Sequence, residues 1–327
     1  MCTNFAPKPK KPILALITIS ITTASAISCA CDDICVNETG WWRDGGAFNA
    51  SGAPIQDAVN NASSGDTICV KAGNYPGTVD ITTVHLTLAG EGADVVNVTA
   101  ADSGDHVFKV TADYVNISGF NVTGATKNRG IYLSGANHCN ISDNNASNNK
   151  YHGIYLKSSS NNTLLNNTAS NNDYYYGEYY GIYLCGSSNN LIYNNYWSNT
   201  NNAWDDGSNQ WNTTTVITGL NIIGGPSIGG NYWSNYTGAD PDGDGLGDLE
   251  YPIAGGDNFD YHPLCPPSSV KGDLNGDGTL TPADAAIALR LAATGAHDDA
   301  ADVSGDGQVT SLDALMILQA AAEMVEL

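Results

Sequence analysis

The clearest pattern in the chain is a repeated alternation of apolar and polar residues. Gly130-Ile131-Tyr132-Leu133 returns as Gly153-Ile154-Tyr155-Leu156 and as Gly181-Ile182-Tyr183-Leu184, in steps of 23 and 28 residues. A second block keeps the same steps: Cys139 to Asn149 aligns with Asn162 to Asn172 and with Asn190 to Thr200. The longer step places an insertion at Asp173 to Tyr180. Period-two alternation predicts short strands, with Ile131 and Leu133 facing one way and Tyr132 the other. Units this short cannot bury an apolar face alone. Coiled into a stack, they put Ile over Ile and Leu over Leu at about 4.8 Å. Asparagines at repeated turn positions, such as Asn144, Asn167 and Asn195, tolerate left-handed backbone angles and can form ladders. So much Gly, Asn and Thr excludes a helical repeat.

The same two-run pattern extends upstream. Ile55 to Ala62 reads as a short capping helix, followed by runs at Thr67–Val70, Val79–Ile81, Val84–Leu88, Val107–Val110 and Val115–Ile117. Asn221 to Ile228 would add a last run. Phe and Met are scarce, which suits a thin core of small aliphatic residues. The expected fold is mostly β: a right-handed parallel β-helix over residues 55–264, followed by a small all-α calcium-binding module.

Composition sharpens this picture. With 34 acidic and 12 basic residues the formal charge is −22, which excludes nucleic acid as a partner because phosphate contacts need clustered Lys and Arg. It suits an extracellular surface or sites for hard cations. Lys8, Lys10 and Lys11 precede an apolar stretch at Ile13 to Ile21, with small residues at Ala24–Ala26 and Ser28–Ala30. Residues 1–30 therefore read as a secretory signal, and a retained anchor is the weaker alternative. Residues 31–54 are an N-terminal segment, and no membrane span is expected after cleavage. Of the eight cysteines, Cys29, Cys31 and Cys35 lie close together and suggest a local disulfide near the cleavage site rather than a metal cluster. Asn-x-Ser/Thr sequons at Asn97, Asn116, Asn121, Asn140, Asn145, Asn161, Asn212 and Asn235 are candidate glycan acceptors in an exported protein.

Residues 55–264 resemble the NosD-like β-helix family of exported archaeal and bacterial proteins. The closing segment carries the resemblance most specifically, through Gly230–Tyr236, Asp240–Asp248, Tyr251–Ile253 and Asp260–Leu264. Family members are often described as copper-binding or carbohydrate-processing, which is analogy at the level of fold. Within this segment Asp240, Asp242, Asp244 and Asp248 alternate with Gly243, Gly245 and Gly247, a spacing that can wrap oxygen ligands around one Ca²⁺. Tyr251 stands where an EF-hand has its bidentate acid, so an ordinary EF-hand is excluded.

Cys265 to Ser269 reads as a linker, spanning 265–270. Beyond it two loops each precede one Ala/Leu-rich helix. The first supplies Asp273, Asn275, Asp277, the Thr279 carbonyl, Thr281 and Asp284, with Gly278 at its sharp turn. The second supplies Asp302, Ser304, Asp306, the Gln308 carbonyl, Thr310 and Asp313, with Gly307 in the same place. Oxygen donors at loop positions one, three, five, seven, nine and twelve are a Ca²⁺ pattern. Residues 271–327 thus resemble a type I dockerin. The resemblance implies two Ca²⁺ ions and a cohesin-bearing partner, contacted through Pro282, Ala283, Leu289 and Arg290 or through Ser311, Leu312, Leu318 and Gln319. So small a module needs metal to fold.

Three functions compete for the β-helix. Tyr132, Tyr155 and Tyr183 should share one outward column, close to the tyrosines of the insertion and to Trp197, Trp204 and Trp211; exposed aromatic faces suit the apolar faces of sugar rings. The first expectation is therefore a glycan- or polysaccharide-binding protein or envelope scaffold. A polysaccharide hydrolase, lyase or epimerase is the alternative, but acids in the coils are few and only Asp205 and Asp206 are adjacent, whereas hydrolysis wants a spaced carboxylate pair. No catalytic residue is assigned. Copper binding comes last: His138 and His152 do not share a repeat column, and Met is missing between residues 2 and 315, which removes soft thioether ligands.

Overall fold

A computed structural model describes residues 33–322, apart from 102–103, 173–178, 241–243, 267–270, 276–278, 297 and 299. The signal segment, Cys2, Cys29, Cys31 and most of the 173–180 insertion lie outside the described residues. The chain forms a mostly β solenoid with three short helices, α1 (Pro54–Asn60), α2 (Pro282–Thr294) and α3 (Ser311–Ala321).

The solenoid has three faces of parallel strands. The first face stacks Ile34–Asn37, Thr67–Val70, Thr87–Gly90, Asn116–Ser118, Asn140–Ser142, Thr163–Leu165 and Leu191–Tyr193. Its inward column runs Ile34, Ile68, Leu88, Ile117, Ile141, Leu164, Ile192 in unbroken register, and every member is fully buried. The second face carries Gly73–Pro76, Val96–Thr99, Asn121–Thr123, Thr168–Ser170, Tyr196–Ser198 and Tyr232–Trp233. The third carries Val79–Ile81, Phe108–Val110, Ile131–Ser134, Ile154–Lys157, Ile182–Cys185 and Ala203–Asp205. The repeat reading holds here: Ile131, Ile154 and Ile182 are register partners, as are Tyr132, Tyr155 and Tyr183. The recurring glycine has a steric cause. A Cβ on Gly130 would stand 2.7 Å from the Gly153 carbonyl and 2.8 Å from Asn149 Nδ2.

Buried asparagines tie the coils together. The main-chain N–H and the Nδ2 of Asn144 both donate to Asn167 Oδ1, and those of Asn167 donate to Asn195 Oδ1, at 2.8–3.2 Å. Asn195 passes the same pair of bonds to Asn231 Oδ1. A second ladder runs Asn162, Asn190, Asn209, and a third runs Asn149, Asn172, Asn199. The left-handed positions are not these ladder residues. They fall one residue earlier, at Asp143, Asn166 and Asn194, so turn conformation and ladder bonding are divided between neighbours.

Several expectations change. The stack starts at Ile34–Asn37, inside the segment assigned to the N-terminus, because Ile34, Cys35 and Val36 pair with Ile68, Cys69 and Val70. Cys35 and its register partner Cys69 are each disulfide-bonded, and Cys29 and Cys31 lie outside the described residues. Helix α1 buries Ile55, Ala58 and Val59 against strands Ile34–Asn37 and Val79–Ile81, closing the N-terminal end. Residues 221–228 add no coil; Ile217–Thr218 and Ser227–Ile228 form an antiparallel hairpin. Cys265 is buried and donates its N–H to the Gly245 carbonyl, so it belongs to the closing segment and not to a linker.

At the C-terminal end Trp197, Trp211 and Trp233 replace the aliphatic columns and are buried. Two buried carboxylates finish the ladders there. Asp260 accepts from the N–H and Nδ2 of Asn231, from Trp233 Nε1 and from the His262 N–H. Asp205 accepts from Asn209 Nδ2, Trp211 Nε1 and the Gly207 N–H.

In the C-terminal module the helices meet over a small core of Ala285, Ala288, Val303, Ala314 and Ile317. Each helix starts with a capping box, Thr281 with Asp284 and Thr310 with Asp313, and α2 ends on Gly295 in the left-handed region.

Candidate functional sites

The third face and the turn before it bring together the most chemically varied side chains on the β-helix. Alternation sends Tyr132, Tyr155 and Tyr183 out of the core, and the column continues to Lys109 on one side and Trp204 on the other. The rings do not lie open like a platform. Tyr132 stacks on Tyr155 at 5.1 Å and on His106 at 4.5 Å; Tyr155 meets Tyr183 edge-on at 5.3 Å; Tyr183 stacks on Trp204 at 6.0 Å. The ring faces expected to receive sugars are largely taken by neighbouring rings, and Tyr155 is only 8% exposed. Edges and hydroxyls are what the column offers. Trp197 and Trp211 are buried and take no part.

A second column lies one residue before the repeating glycines, at Arg129, His152 and Tyr180, and begins one coil earlier with His106 before Val107; it is joined by the backbone bonds Val107 to Arg129, Gly130 to His152 and Gly153 to Tyr180. Arg129 lies over Tyr155 with Cζ 4.8 Å from the ring centre and reaches Tyr132 and Tyr151 at 5.7 and 5.8 Å. His152 accepts the Tyr180 N–H at Nδ1 and stacks on Tyr183 at 4.6 Å. Burial, helped by the Arg129 charge, pushes His152 down to about 3 and His106 down to about 4, so both rings are neutral near pH 7. Tyr151 stacks on Tyr179 at 4.1 Å beside them. Sequence reasoning missed the Arg129 column. The signal was present, since His106, Arg129 and His152 hold the same place before consecutive strands.

Asp205 and Asp206 do not form a catalytic pair. Asp205 is buried among the donors that it satisfies, and Asp206 Oδ1 accepts the Gly186 N–H at 2.6 Å. Nor do the histidines converge. His85, Tyr114 and His138 stack in sequence, with a tyrosine between the imidazoles. No three His, Cys, Asp or Glu side chains gather into a metal-holding group among the described residues.

The sequons divide by environment. Asn116 and Asn140 are exposed. Asn97 and Asn121 are linked through their amides, and Asn145 takes the Ser147 hydroxyl. Asn235 accepts from Asn202 Nδ2 and the Tyr251 hydroxyl. Asn212 is buried, with Nδ2 donating to the Thr213 carbonyl and touching His262, so the fold closes that acceptor off.

In the loop before Asp248, Asp240 accepts the N–H groups of Asp244 and Gly245, and Asp244 accepts that of Leu246; Asp242 lies outside the described residues. In the second loop of the C-terminal module Asp302 does the same for Gly305, Asp306 and Gly307, and Asp306 accepts from Gln308. Both loops therefore curl around their first acid in the way that a hard-cation loop needs. Asp284 spans the first loop, taking the N–H groups of Leu274, Asn275 and Thr281 and the Thr281 hydroxyl. Asp313 spans the second through Ser304 and Thr310. Although burial raises the Asp313 carboxyl, these donors outweigh it and hold the group down at about 2. The donor set, all carboxylate, hydroxyl, amide and carbonyl oxygen, fits Ca²⁺; Asp273, Asn275, Asp277, Thr279, Thr281 and Asp284, with Asp302, Ser304, Asp306, Gln308, Thr310 and Asp313, would hold it. Asp277 lies outside the described residues.

The partner positions named from sequence lie on the outside. Pro282, Ala283, Leu289, Arg290, Ser311, Leu312 and Leu318 are exposed and Gln319 half-buried. Leu289, Leu312, Leu315 and Leu318 are 43–52% exposed, an apolar outer surface unusual for helices this short.

Fold and repeat together define a parallel β-helix with an appended module of two loop–helix units. The chain belongs to the NosD family: the model described as periplasmic copper-binding protein (NosD) matches residues 59–179 and 120–238, together more than half the chain. A second model, dockerin type I domain, matches residues 271–320. Among solved structures the chain is similar to an alginate lyase from Paenibacillus sp. str. FPU-7, at 24% identity over 42% of this chain and 53% of that one, with a TM-score of 0.39. It is also similar to pectin methylesterase from carrot, at 13% identity over 50% and 53%, TM-score 0.36. A third similar structure is pectin methylesterase PemA from Erwinia chrysanthemi, at 13% identity over 63% and 78%, TM-score 0.33. The chain spans about half the length of the first and second of these. Likenesses so distant carry nothing about activity. No match is found among curated proteins. No helix of the described residues is long and apolar enough to cross a membrane.

Proposed function

We propose that the protein is exported, that its dockerin module docks it onto a cohesin-bearing partner with two Ca²⁺ ions bound, and that its β-helix binds a glycan along the Tyr132–Tyr155–Tyr183 flank without cleaving it. A third Ca²⁺ would sit in the Asp240–Asp248 loop. The observation that carries the docking part is the pair of loop–helix units, each with a capped helix that turns leucines outward at Leu289, Leu312 and Leu318. Buried apolar anchors supply most of the affinity at such surfaces. The glycan part rests on the continuous aromatic column and its hydroxyl edges. Copper is disfavoured by the dispersed histidines.

The test has two arms. Immobilised full-length protein, in calcium and then in chelator, is challenged with a cohesin-bearing protein; capture that is indifferent to calcium counts against the docking role. The same protein is incubated with polysaccharides while binding and new reducing ends are followed. Accumulating ends would make it an enzyme.

A further inference from the structure

The charge of the molecule is distributed very unevenly. Between residues 106 and 172 there are five basic residues, Lys109, Lys127, Arg129, Lys150 and Lys157, and two acids, Asp113 and Asp143, although the whole chain carries −22. Both acids are engaged, Asp113 accepting from Asn137 and Asp143 from Asn166 Nδ2; the strip's own acids stand at its ends, Asp80 in register with Lys109, Asp105 beside His106 and Asp206 near Tyr183. Three of the bases stand on the tyrosine flank. Lys109 extends the tyrosine column, Arg129 lies on it, and Lys157 stands two residues beyond Tyr155 on the same outward side. Ion pairs among the described residues are Arg43–Asp66 and Lys71–Glu91, both in the first coils, so Lys109, Lys127, Arg129 and Lys157 are in none there. Arg129 Nε and His106 Nδ1 are buried without a hydrogen-bond partner.

The stacked rings reinforce this. An aromatic ring is negative on its face and positive at its edge. With faces spent on each other, the column shows edges and hydroxyls beside unpaired cations. That combination repels a cation, gains little from a neutral chain and favours an anion. We infer that this flank selects an acidic polysaccharide, one bearing carboxylate or sulfate groups along its length, with Arg129, Lys109 and Lys157 reading the charge and the tyrosine hydroxyls the sugar. The inference rests on the glycan-binding reading above and adds the ligand's charge. Coils about 4.8 Å apart offer a cation or hydroxyl at near the repeat of a sugar residue, so a linear polymer is the fitting shape. The net charge elsewhere repels the same polymer and confines it to this strip.

Full-length protein with its calcium loops filled, in buffer of low ionic strength without excess calcium, is titrated with polygalacturonate, with a sulfated galactan, with a neutral glucan and with single-stranded DNA. The expected result is binding to one or both acidic glycans at least tenfold tighter than to the glucan or the DNA, and weakened at least tenfold by 0.5 M salt, as screening requires. Which acidic polymer binds separates carboxylate from sulfate. Lys109→Gln with Lys157→Gln, both outward-facing changes, should remove most of the binding and its salt dependence while circular dichroism stays unchanged. Equal, salt-independent binding of glucan and polygalacturonate overturns the charge inference and leaves glycan binding standing. DNA bound as tightly as the glycans also overturns it. Failure of every glycan to bind overturns both readings.

Discussion

The two parts of this chain solve the same problem, a shortage of large apolar side chains, in opposite ways. The β-helix repeats a narrow aliphatic layer through every coil and adds buried amides that bond from one coil to the next. Its stability accumulates with length, as in other solenoids. The dockerin module has a core of five buried residues, three of them alanine, and its loops are shaped by carboxylates that hold backbone N–H groups. In one part the internal polar groups are neutral amides ended by two buried carboxylates; in the other they are the carboxylates themselves, with Asp284 and Asp313 buried at the helix starts. The lesson is that buried hydrogen bonding can replace bulk only where a repeat supplies the partners.

The sharpest way to break the contrast is to remove calcium. Chelation, or Asp273→Ala with Asp302→Ala, should abolish the helical part of the circular dichroism signal and leave the β signal, because metal binding supplies folding free energy in so small a core. Helicity that survives chelation would put the two parts on the same footing. Next in size is Asn167→Leu, which leaves the amides of Asn144 and the Ile141 carbonyl without a buried partner and should cost the β-helix about 2–4 kcal/mol, read as a shift in its denaturant midpoint alone. A third test uses pH. His106 and His152 are depressed, so the folded state binds fewer protons than the unfolded one, and their contribution is present above the ordinary histidine range of about 6.5. It is lost as pH falls toward about 4 and about 3 respectively, at up to ~1.4 kcal/mol per pH unit per group. Asp313 is also depressed, but from the carboxylate range, so its contribution lasts until pH falls below about 4 and disappears toward about 2. At pH 5 the β-helix should already be weakened, with His152→Gln flattening the loss, while the Asp313 clamp is intact. The smallest effect expected is on docking: Leu312→Ser with Leu318→Ser should weaken capture of a cohesin about tenfold, since exposed leucines give moderate anchors, with no change in melting temperature.

Much of the fold was legible because it is written in a period. Strand register followed from aligning Gly130, Gly153 and Gly181, and Thr67–Val70 and Val79–Ile81 emerge with the bounds that alternation predicts. What the pattern could not convey was who covers whom. Alternation says that Tyr155 leaves the core, not that Arg129 and its fellow tyrosines close over it. The strand at Ile34–Asn37 stands apart from the repeats, with helix α1 between it and Thr67–Val70, so the start of the stack could not be seen. The run at 221–228 has the apolar content of a strand, but two glycines, Gly224 and Gly225, turn it back on itself. The calcium loops were the most readable of all, because cation chemistry fixes residue types at fixed intervals within a dozen positions.

The asparagine ladders have a direction. Every amide gives its hydrogens to the next coil and offers its oxygen to the previous one, so the growing end of the stack always presents unsatisfied N–H groups. Asp260, an acceptor with no amide hydrogen to pass on, ends that series. A solenoid is in principle open to endless addition, one chain's last coil serving as template for another chain's first. Here the stop is Asp260, fully buried, and Asp260→Asn would set a donor among the Asn231, Trp233 and His262 donors that it now accepts, loosening the last turn of the stack.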